Sequence, residues 1–69
     1  MLKSVELDEL KARRGRLLNL IESHQSSANR YAMHYATRGL AQFESNEARR
    51  YRAMLDKVQY QILVLLVKS

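Results

Sequence analysis

Apolar or ring-bearing side chains return at alternating steps of three and four residues in two long runs. The first is Leu7, Leu10, Leu17, Ile21, His24, Ala28, Tyr31 and Tyr35, with Arg14 filling its one gap; the second is Ala48, Tyr51, Leu55, Val58, Ile62 and Leu65. This spacing keeps a stripe in line along one face of a helix, whereas on a strand it would scatter across both faces. Each run therefore predicts a long amphipathic helix. Proline is absent and the only glycines are Gly15 and Gly39, so little interrupts them. Sixty-nine residues suffice for one small domain, in which each seam must cover the other. The expected fold is all-α: an antiparallel two-helix hairpin, coiled-coil-like, completed by a partner or by dimerisation into a helical bundle.

Local signals predict helices over about 4–38 and 44–68, joined by a turn near 39–43. Ser4 offers an N-cap with Glu6, Asp8 and Glu9 behind it, and Lys68 lies where a C-terminal cation is favoured. Arg38 followed by Gly39 reads as a helix end, with Gly39 left-handed and Leu40 folded back onto Tyr35. The stretch Ser23–Asn29 is rich in serine and asparagine, which permits a three-helix alternative near 4–24, 29–38 and 44–68. The unbroken phase from Ile21 through Ala28 to Tyr35 favours one continuous helix.

Folding the runs about Gly39 pairs Tyr31 with Ala48, Ala28 with Tyr51, His24 with Leu55, Ile21 with Val58 and Leu17 with Ile62. Large meets small twice, as interdigitation requires. The expected hairpin core is Leu17, Ile21, Ala28, Tyr31, Ala48, Tyr51, Leu55, Val58, Ile62 and Leu65. The same register sets Arg14 near the carbonyls that end the second helix.

The segment Tyr60–Val67 carries more apolar surface than one packing partner covers. Tyr60, Leu63, Val64 and Val67 form a second stripe at i, i+3, i+4 and i+7, beside the seam of Leu55, Val58, Ile62 and Leu65. With Leu66 they are the candidate partner-binding residues, and Tyr60 is an aromatic anchor of the kind that concentrates interface energy. The segment also has the composition of a strand and of an aggregation-prone window. Continuity with the helical phase from Ala48 favours helix.

Composition narrows the chemistry. There is no cysteine, and His24 and His34 lack the neighbours a zinc site needs. No phosphate loop, metalloprotease helix or nucleophile elbow occurs, so no catalytic, cofactor-binding or metal residue is expected, and the chain reads as a binding protein. Twelve Lys and Arg against seven Asp and Glu give a charge of +5, with clusters at Lys11–Arg16 and Arg49–Arg52. These admit phosphate contacts with nucleic acid, although interspersed acids and the clusters' placement toward opposite ends of the hairpin favour a solvated face. No opening basic-apolar succession marks a secretory signal, and the final apolar run is shorter than the roughly 20 residues of a membrane span. A cytoplasmic location is expected.

Arg38-Gly39, Gln42-Phe43, Arg52-Ala53-Met54 and the apolar run Ile62 to Val67 together give a layout that resembles the small co-chaperones of bacterial type III secretion needle subunits. The resemblance covers most of the chain through short motifs with small gaps near the turn. It implies a helical hairpin that pairs with a larger tetratricopeptide-type chaperone and helps keep the needle subunit monomeric until export, with the outer stripe as docking surface. The strongly basic balance and the polar Ser23–Asn29 patch depart from that pattern. The residues also leave open a homodimeric four-helix-bundle regulator, such as a phage-type inhibitor of a host protein, and a basic nucleic-acid binder.

Overall fold

The computed structural model describes residues 2–68, with side chains from residue 4 onward. Helix α1, Leu2–Ala32, and helix α2, Arg38–Lys68, pack antiparallel, and a single 3-10 turn, Tyr35–Thr37, lies between them. The chain is thus an all-α helical hairpin. It is a rod: the Cα atoms extend 53 × 14 × 11 Å, with a radius of gyration of 15.8 Å. Tyr60–Val67 is helical, and α1 runs unbroken through Ser23–Asn29. There Ser27 Oγ accepts a hydrogen bond from Arg30 Nη2 at 3.2 Å, an i, i+3 pair that keeps a poor helix former on the helix surface.

The reversal lies earlier than Gly39. Helix α1 ends at Ala32, with Arg30 as the cation of its last turn, and Arg38 and Gly39 open α2. Among the described residues no glycine, and no other residue, has a positive φ. The turn instead uses an extended residue, His34 at φ −120° and ψ 130°. Two of the carbonyls at the end of α1 are then met locally. Met33 N–H donates to Arg30 O at 3.3 Å and His34 N–H to Tyr31 O at 3.4 Å. The Thr37 hydroxyl reaches Tyr31 O at 2.6 Å. With these partners in place the helix end has no need of a left-handed cap. Placed here, the turn divides the described residues into helices of 31 residues each.

Three local expectations change with it. Tyr35 is 86% exposed instead of lying on the seam, and the Arg38 guanidinium sits 5.4 Å over its ring. Ser4 lies inside α1 and does not cap it, and neither helix has an acid in its first turn. Arg14 is half-buried but forms no hydrogen bond or ion pair with the end of α2 among the described residues.

The core is graded along the rod. Leu17, Ile21, Leu55, Val58 and Ile62 form one buried cluster, with Leu7, Leu10, Tyr51 and Met54 packed against it. Toward the turn the buried side chains are the small Ala28 and Ala48. Tyr31 and Leu65 are partly buried.

Candidate functional site

The buried faces of the two helices are used up by the hairpin, so any site must lie on what remains. Near the turn the remaining chemistry is a cross-helix polar cluster. His24 hydrogen-bonds Glu44 through Nδ1, and since a carboxylate only accepts, the Nδ1–H donates. The His24 ring stacks on Tyr51, with centroids 5.5 Å apart and planes at 19°. The sequence pairing set His24 against Leu55; its polar and ring partners are Glu44 and Tyr51, both nearer the turn. Earlier reversal draws that layer turnward, and a half-buried imidazole gains a partner that an aliphatic neighbour would not supply.

Two arginines of the Arg49–Arg52 cluster are engaged in the chain's own contacts. Arg52 donates to Gln25 Oε1 at 2.7 Å across the hairpin. Arg50 pairs with Glu47 at 2.9 Å, and its guanidinium lies 5.2 Å from the Tyr51 ring centroid. Its pKa is held above the ordinary arginine value, first by the hydrogen bond to the Tyr51 hydroxyl and then by Glu47. Arg13 and Arg16 lie at the other end, on the wall of a groove.

That groove, about 730 Å³ in volume, runs between the N-terminal half of α1 and the C-terminal half of α2, at the end away from the turn. Its apolar lining includes Leu10, Ala12, Val64 and Leu65, with Tyr60 at one wall. The groove takes in two of the five candidate partner-binding residues. Tyr60 and Val64 line the groove, whereas Leu63, Leu66 and Val67 lie outside it. Leu63 is 60% exposed and Val67 84%; Val64 is half-buried. A helix presents successive residues 100° apart, so one apolar octapeptide serves the hairpin, the groove and an outer edge at once. Sequence spacing alone missed Leu10 and Ala12 as groove residues, because their exposure depends on where the neighbouring helix ends.

Among the described residues no cluster of three His, Asp or Glu is placed to hold a metal ion, and no helix is long and apolar enough to cross a membrane. No protein-family profile, characterised protein or solved structure matches the chain.

Proposed function

We propose that this hairpin works by protein binding through helix-to-helix association, as a small co-chaperone or adaptor. The observation that carries the reading is the exposure of Leu63 and Val67 on a helix whose opposite face is already buried. Apolar side chains of this size contribute roughly 1.5–3 kcal/mol each when buried, before the costs of association. In its specific form, the partner is a larger helical-repeat chaperone, and the pair keeps a secretion-system needle subunit in an export-competent state in the cytoplasm. Support for that form is the motif resemblance at Gln42-Phe43, Arg52-Ala53-Met54 and Ile62 to Val67. The Arg38-Gly39 pair no longer contributes as a reversal, since it opens α2.

Co-expression with a tetratricopeptide-type chaperone and its needle subunit tests the proposal. The wild-type chain should copurify with them, and Leu63→Asp or Val67→Asp should abolish this while helicity by circular dichroism is retained. Failure of the wild type to copurify removes the specific partner. Loss of helicity in the variants assigns these residues to the hairpin instead of to docking.

A further inference from the structure

One wall of the groove carries Glu6, Glu9, Arg13 and Arg16 in that order along α1. Among the described residues none of the four takes an ion pair or hydrogen bond within the chain. Glu6 and Glu9 lie past the first turn of α1 and Arg13 and Arg16 past its third, beyond the reach of the macrodipole. Read backwards, acid-acid-base-base becomes base-base-acid-acid, which is its own complement. An antiparallel copy of the same helix, related by a two-fold axis level with Lys11, brings Glu6 opposite the second copy's Arg16 and Glu9 opposite the second copy's Arg13. All these contacts form together. Isologous interfaces require this kind of self-complementary patch.

We infer that the groove at the open end of the hairpin is a self-association site, in which two copies overlap antiparallel through α1 and bury Leu10, Tyr60 and Val64 inside a four-helix segment. The two turns then point outward at opposite ends of an elongated dimer. This inference is independent of the foreign partner proposed above, because Leu63 and Val67 lie outside the groove.

Charge exchange tests it on the full chain, with mass measured by sedimentation equilibrium and helicity by circular dichroism. The wild type should dimerise, and more weakly as salt rises, since these pairs are at the rim. Arg13→Glu with Arg16→Glu lines the patch with acids, and Glu6→Arg with Glu9→Arg lines it with bases. Each double variant alone should dimerise at least about tenfold more weakly, as like charges then face each other. An equimolar mixture should restore a dimer, as a heterodimer, because every facing pair is again opposite. A wild type that stays monomeric, a dimer indifferent to both double variants, or monomeric variants that fail to recover on mixing would each overturn the inference.

Discussion

His24 and Glu44 lie twenty residues apart in sequence and pin the hairpin near its turn. Both side chains are mostly covered, at 24% and 17% exposure, so the bond is formed where water competes weakly. A double-mutant cycle with His24→Ala and Glu44→Ala is expected to show a coupling of about 0.5–1.5 kcal/mol in urea unfolding. Additive losses would mean that the pair holds no register. The sequence showed that His24 belongs to the seam, because seam membership follows from spacing. It did not show Glu44 as the partner, because that depends on where the chain turns.

At the scale of the elements, the turn is decided by Thr37 and not by Gly39. Gly39 has an ordinary helical φ and open space where a Cβ would stand. Gly39→Ala is therefore expected to leave stability unchanged or raise it by up to about 1 kcal/mol. A left-handed glycine would give the opposite sign. Thr37→Val, which keeps the shape and removes the hydroxyl that reaches Tyr31 O, should cost about 0.5–1.5 kcal/mol. Thermal denaturation of the two variants separates the cases. The misplaced turn shows what sequence signals carry. Helix phase is repeated at every seam position and survives local noise, so two helices and their facing sides were legible. The Arg38-Gly39 signal rests on two residues, and the local hydrogen bonds that close α1 at Ala32 override it. The groove was illegible because Leu10 and Val64 line one surface only once the register is known.

The whole molecule has a core one side chain thick. Leu17, Ile21, Ala28, Ala48, Leu55, Val58 and Ile62 are its buried hydrophobic residues among those described. Domains of this size hold about 3–10 kcal/mol in total. Leu17→Ala, at a position 4% exposed, should cost about 2–5 kcal/mol and so remove much of the cooperative unfolding transition. Retention of a wild-type midpoint would show that stability resides elsewhere, for example in association.

The rod shape has a hydrodynamic consequence. A compact chain of 69 residues would have a radius of gyration of about 11 Å, against the 15.8 Å of this hairpin. That larger value belongs to a compact protein of about 180 residues. A single hairpin will therefore leave a gel-filtration column ahead of a compact protein of its own mass. Elution volume alone overstates its mass, and only a shape-independent measurement distinguishes one long molecule from two that overlap.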